Sequence, residues 1–96
     1  MLTLWHANAI RDLIRIRAYI AKENPAAANR VVARLRSVAA MLRENPRMGR
    51  AGRVAETREF VFGNLPYIAV YRIDEAAATL EILNIIHTAQ LYPDND

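Results

Sequence analysis

The pair Asn24 and Pro25, inside "ENPAAA", constrains the fold more than any other local feature. Proline has no backbone N–H and clashes with the preceding turn, so a helix that reaches it from upstream must stop. The same pair also starts a helix well, because asparagine caps free N–H groups and proline fits the first helical position. Upstream, Ile10, Leu13, Ile14 and Ile20 recur at roughly three-and-four spacing, with Arg11, Asp12, Arg15 and Lys22 filling the other side. Downstream, Val31, Leu35, Val38 and Leu42 form a seam with Arg30, Arg34, Arg36 and Arg43 outside it. Two amphipathic helices joined by so short a break must run antiparallel, as a helical hairpin.

The remaining segments read as strands. "LTLW" (Leu2 to Trp5) is short, apolar and β-prone, which suits an edge strand. The second helix is expected to stop near Asn45 and Pro46, and "RMGRAGR" after it has neither periodicity nor apolar content, so it reads as a loop. Three strand-like runs follow, Thr57 to Phe62, Tyr67 to Ile73 and Thr79 to His87, divided by "GNLP" and "DEAAA". The expected fold class is therefore α+β: an N-terminal strand, an antiparallel helical hairpin, then a three-stranded antiparallel meander. The hairpin lies on one face of the sheet and buries Ile10, Leu13, Val31, Leu35 and Val38.

The last run, "TLEILNIIH", is apolar on both parities, with Leu80, Ile82 and Ile86 on one and Leu83 and Ile85 on the other. A sheet covered on one face alternates more cleanly. Either this strand is central and curls around the core, or a partner outside the chain covers its second face.

A chain of 96 residues has room for one core, so residues 1–96 read as a single domain with a short frayed acidic tail at about 93–96. The net charge is +3, and twelve of the thirteen basic residues are arginine, whose planar fork suits phosphate or carboxylate. There is no cysteine, and His6 and His87 are the only imidazoles, so no metal site and no cofactor are expected. Neither a signal peptide nor a membrane span is legible, and the chain reads as cytoplasmic.

No phosphate-binding glycine loop is present, since "GRAG" lacks the spacing and the following lysine. The one positional catalytic set is Arg58, Arg72 and His87 on the three meander strands, with Tyr67, Tyr71 and Tyr92 nearby. RNA cleavage needs a base, an acid and positive charge on the phosphorane, which histidine and arginine supply. Register decides the matter: a five-residue "DEAAA" loop pairs Ile73 with Thr79 and separates Arg72 from His87, whereas a four-residue loop reunites them on one face. The structural alternatives are a strand-end imidazole bonded to backbone for His87, and a salt bridge to Asp74, Glu75 or Glu81 for Arg72. Trp5 reads as a core aromatic, and the arginine loop as either a docking element or a solvated one.

The order of "A..DL..I..YIA..NP.AA..V", "GRVAETREFVF", "PYIAVYRI" and "ILNIIHTAQLYP" resembles the ParE/RelE superfamily of toxins from bacterial type II toxin–antitoxin systems, over nearly the whole chain. The resemblance implies the fold argued above and a cognate, ParD-like antitoxin that wraps the toxin. It also implies one of two activities. RelE-like members are ribosome-dependent mRNA endoribonucleases with basic groups on the first meander strand and after the tyrosine that opens the second. The matching positions here hold Glu59, Val61 and Ile68, which cannot stabilise a phosphorane.

ParE-like members instead inhibit DNA gyrase by binding, arresting growth, and serve plasmid stabilization; the sequence is closer to these. On that reading the chain is not an enzyme. Arg47, Arg50, Arg53 and Arg58 are the candidate target-docking residues, and Leu13, Ile20, Leu83 and Ile85 the candidate antitoxin contacts. The alternative is the ribonuclease, using Arg58, Arg72 and His87 on ribosome-bound mRNA.

Overall fold

The computed structural model describes residues 1–90, 92 and 93. The element order is β1 (Leu2–Trp5), α1 (Ala7–Ala21), α2 (Pro25–Arg36), α3 (Val38–Glu44), β2 (Arg50–Ala51), β3 (Arg58–Val61), β4 (Tyr67–Asp74) and β5 (Thr79–His87). The five strands form one sheet in the order β1-β5-β4-β3-β2. β1 lies parallel to β5 at one edge, and the other pairings are antiparallel. Of the acidic tail expected at 93–96, only Pro93 falls within the described residues.

Asn24 and Pro25 act as anticipated. The Asn24 side chain accepts the Ala27 N–H at 3.0 Å, and Pro25 is the first residue of α2. The second arm of the hairpin is broken, however: Ser37 ends α2 and starts α3, with its hydroxyl donating back to the Arg34 carbonyl at 2.6 Å. A serine that bonds the preceding turn competes with the helical ladder and divides the arm into two short helices. "RMGRAGR" also differs from the expected loop, because Arg50 and Ala51 form a two-residue strand opposite Glu59 and Arg58.

The core lies between the helices and one face of the sheet, with Ala9, Leu13, Leu35, Val38 and Leu42 against Tyr67, Ala69, Tyr71, Leu80, Ile82 and Ile85. Ile10 was expected inside but is nearly half exposed, and Asp12, expected outside, is buried. Ile10 lies on the side of α1 that lines an open groove, whereas the burial of Asp12 follows from a bulge. Register shifts between Val70 and Tyr71, so Tyr71 opposes Ile82 and Val70 opposes Asn84, leaving Leu83 unpaired. Beside it the Ile85 N–H donates to Asp12 Oδ2 at 2.9 Å and the Asn84 amide donates at 3.2 Å. The Asp12 carboxylate thus satisfies the irregular stretch, and Arg15 pairs with it from the surface.

The bulge also explains why β5 is apolar on both parities. Leu80, Ile82 and Ile85 face the helices. On the outer face, Ile86 packs with Ile68 and Val70, joined by Leu83 and Tyr92 from the chain's own C-terminal segment.

Candidate functional site

The arginine segment is held to the sheet from both sides. On the helix side, the Tyr71 hydroxyl accepts the Gly49 N–H at 2.8 Å and donates to the Pro46 carbonyl at 2.7 Å. Burial pushes the Tyr71 phenol above its usual range, only partly offset by the Gly49 N–H and the Arg58 charge. Arg58 donates to the carbonyls of Gly49 at 2.7 Å and Arg47 at 3.3 Å, so it serves as a clamp on the loop. Both glycines are needed for these close approaches: a Cβ on Gly49 would meet Tyr71 Oη at 2.7 Å, and one on Gly52 would meet Thr57 Oγ1 at 2.1 Å.

On the outer side the anchor is Glu59, which is 1% exposed. It accepts the Arg53 N–H at 2.9 Å, Arg53 Nε at 3.3 Å, Arg53 Nη2 at 3.2 Å and Arg50 Nη2 at 3.3 Å. Burial alone would raise its pKa, but the Arg53 N–H and the Arg53 and Arg50 guanidiniums outweigh it and hold the carboxyl below its usual value. Arg53 continues outward, donating to the Tyr92 carbonyl at 3.2 Å with its guanidinium 5.6 Å from the Tyr92 ring centroid. Burial, then the Glu59 charge, pushes the Tyr92 phenol up. Arg47 pairs with Glu75 across the loop.

The three ribonuclease candidates are dispersed. Asp74 pairs with Thr79, so the hairpin turn is residues 75–78, the four-residue case. The bulge reverses its effect: Tyr67 opposes His87 and Arg72 opposes Glu81, which puts Arg72 and His87 on opposite faces. Arg72 donates to Glu81 at 3.0 Å, and His87 Nδ1 accepts the Ala89 N–H at 3.0 Å while its ring packs edge-on to Tyr67. Arg58 sits level with Tyr71, four residues along β4 from the His87 rung, or roughly 13 Å. Glu59, Val61 and Ile68, by contrast, share the outer face, since Val61 opposes Ile68 and Glu59 is two residues from Val61.

A second surface lies on the helices. Trp5, Ile10, Leu13, Ile14 and Val32 line a groove of about 410 Å³, with Arg17 and Arg36 at its rim. Ile14 is 65% exposed there. Residues 1–45 carry eight basic and three acidic side chains, whereas residues 46–96 carry five basic and seven acidic, so the chain's net positive charge comes from the half that holds the helical hairpin, with the arginine loop a local positive stretch in an otherwise acidic half. Of the four apolar antitoxin candidates, Leu13 (8% exposed) and Ile85 (2%) are core residues, while Ile20 and Leu83 keep part of their surface. Sequence periodicity missed Ile14 as a groove residue, because an exposed isoleucine at helical spacing is indistinguishable from a core one, and Val32 because it falls outside the Val31, Leu35, Val38 and Leu42 seam.

Among the described residues no cluster of metal-ligating side chains occurs, and no helix is long and apolar enough to cross a membrane. A helical hairpin on one face of a bulged five-stranded sheet, with a pinned basic hairpin at the far edge, defines a small α+β toxin fold. The chain belongs to the ParE toxin family of type II toxin–antitoxin systems, within the ParE/RelE superfamily: the family model described as "ParE toxin of type II toxin-antitoxin system, parDE" matches residues 3–92. It is 45% identical over 89 residues to Y4kP of Sinorhizobium fredii, a protein named as a toxin, covering 93% of this chain and 90% of that one. Toxin RelE2 of Caulobacter vibrioides is 38% identical over 88 residues, covering 92% and 96%. Among solved structures, the chromosomal ParDE system from P. aeruginosa superposes with a TM-score of 0.80 at 23% identity, over 91% of this chain and 95% of that one. The toxin–antitoxin complex RelBE2 from Mycobacterium tuberculosis gives 0.65 at 28% identity, over 90% and 95%.

Proposed function

We propose that this toxin acts as ParE-like members do, inhibiting DNA gyrase by binding, and that a cognate antitoxin holds it inactive. One observation carries the choice of activity. Glu59, Val61 and Ile68, the positions at which RNA-cleaving relatives place basic groups, do share one face, and that face presents a saturated carboxylate and two aliphatics. Such a face offers nothing to a phosphorane. The dispersal of Arg58, Arg72 and His87 supports the same reading. The docking element is the pinned segment carrying Arg47, Arg50 and Arg53, with Arg58 as its clamp. The test is a supercoiling assay on antitoxin-free protein beside a ribosome-bound mRNA cleavage assay; cleavage without effect on gyrase rejects this reading for the RelE-like one.

The antitoxin reading is supported by the helical groove. An apolar trough rimmed by arginine suits a segment with apolar side chains flanked by carboxylates, and Ile10, Ile14 and Val32 join Ile20 and Leu83 as the contacts with surface to offer. Hydrogen exchange with and without antitoxin tests it: α1 and α2 gain protection if the groove is covered, and equal protection in both rejects the idea.

A further inference from the structure

We propose that Glu59 is a positioning residue for the docking arginines: it fixes Arg50 and Arg53 in one presentation on the outer side of the β2–β3 hairpin. This inference rests on the docking reading above. Four donors converge on a carboxylate that is 1% exposed: the Arg53 backbone N–H and three guanidinium N–H groups, and the Arg50 and Arg53 side chains that carry the three keep 59% and 40% of their surface. One anion against two cations leaves an excess positive charge facing out. Restricting two long, rotamer-rich side chains before contact lowers the ordering cost of binding.

A purely structural role, the acceptance of the Arg53 N–H, accounts for only part of what the carboxylate does here. Glu59 faces Val70 across the ladder, beside a rung where Val61 simply faces Ile68. An apolar side chain at 59 would extend the outer cluster of Ile68, Val70 and Ile86. Replacing a buried ion pair by an apolar residue of similar volume is often neutral or stabilising. The hairpin also has anchors that do not involve Glu59. Tyr71 holds Gly49 and Pro46, Arg58 holds the carbonyls of Arg47 and Gly49, and the Gly52 N–H donates to the Thr57 carbonyl at 2.8 Å. Glu59 itself accepts the Arg53 N–H at 2.9 Å, and beyond that backbone anchor it supplies the direction of the Arg50 and Arg53 side chains, and through Arg53 the seat of Tyr92.

The experiment is a mutant cycle on the full chain with Glu59→Gln, the exposed pair Arg50→Gln/Arg53→Gln, and the triple variant. Gyrase inhibition and growth arrest are the functional readouts, and antitoxin affinity is the check on the fold. Glu59→Gln is expected to raise the inhibitory concentration about tenfold, with antitoxin affinity changed by less than about twofold and no added effect in the Arg50→Gln/Arg53→Gln background. Glu59→Leu, which fills the outer face without charge, gives the same loss and serves if the glutamine variant is too unstable to assay. An equal effect of Glu59→Gln in both backgrounds overturns the proposal, as does full potency of either the glutamine or the double-arginine variant. If the wild-type protein leaves gyrase untouched, the docking reading fails by itself. The same cycle read on growth arrest then decides the role of Glu59, non-additivity upholding it and additivity overturning it.

Discussion

Tyr71 reaches from the middle strand of the sheet to the arginine segment, its hydroxyl accepting the Gly49 N–H at 2.8 Å and donating to the Pro46 carbonyl at 2.7 Å. The side chain is fully buried and so is Gly49, whose N–H therefore has no water as a substitute, while Pro46 keeps part of its surface. Tyr71→Phe is expected to cost about 1–3 kcal/mol, the penalty for leaving buried polar groups without partners. Denaturant unfolding of the two proteins measures this, and an unchanged midpoint would mean that the loop holds itself.

The two loop glycines make a separable prediction. Gly49→Ala and Gly52→Ala each put a Cβ inside contact distance of Tyr71 or Thr57, whereas a Cβ on Gly63 meets only Arg34 Nη2 at 3.9 Å. The first two are expected to destabilise by about 1–3 kcal/mol, and Gly63→Ala to change little. Equal effects at all three positions would show that close packing is not what selects glycine here.

Asp12 is expected to matter far more than its helical neighbours. Asp12→Ala strips acceptors from the Ile85 N–H and the Asn84 amide beside the bulge, a loss of about 1–3 kcal/mol. Arg15→Ala removes only a partner whose side chain is 71% exposed, and its effect should stay within about 0.5 kcal/mol. Thermal unfolding of both variants checks the contrast.

These positions mark how far the sequence could be read. Asn24 and Pro25 specify the helical hairpin through local chemistry, and the bounds of β1 and β5 follow from apolar runs ended by turn residues. The bulge at Leu83 has no local signature, and every misplacement near it follows from that. Asp12 looked like a surface residue because its partners are backbone groups of a strand 73 positions away. Arg72 and His87 could not be assigned a face, since loop length and bulge each invert parity and here cancel. Glu59 was legible as a departure from the ribonuclease pattern, but its partners Arg50 and Arg53 meet it only because a two-residue strand folds back on β3. Charge counted along the loop also misled, as Glu59 and Glu75 offset Arg53 and Arg47 there, while the helices hold the surplus.

Glu59 sets an acid dependence. Its carboxyl is held below the ordinary value of 4.5 when folded, so its stabilising contribution is complete above that pH and is lost as pH falls through the lower folded value. Wild-type protein should therefore lose its stability advantage over Glu59→Gln below about pH 4.5 and keep it constant above. Paired unfolding curves between pH 2 and 7 test this; a gap that widens on acidification would reverse the sign.

The most direct test of the central claim is DNA supercoiling by purified gyrase titrated with antitoxin-free toxin, run with wild-type protein and with His87→Ala. Both proteins are expected to inhibit supercoiling at the same concentration, and added antitoxin to restore it. Supercoiling that proceeds unchanged, together with ribosome-bound mRNA cleavage that His87→Ala abolishes, would contradict that claim.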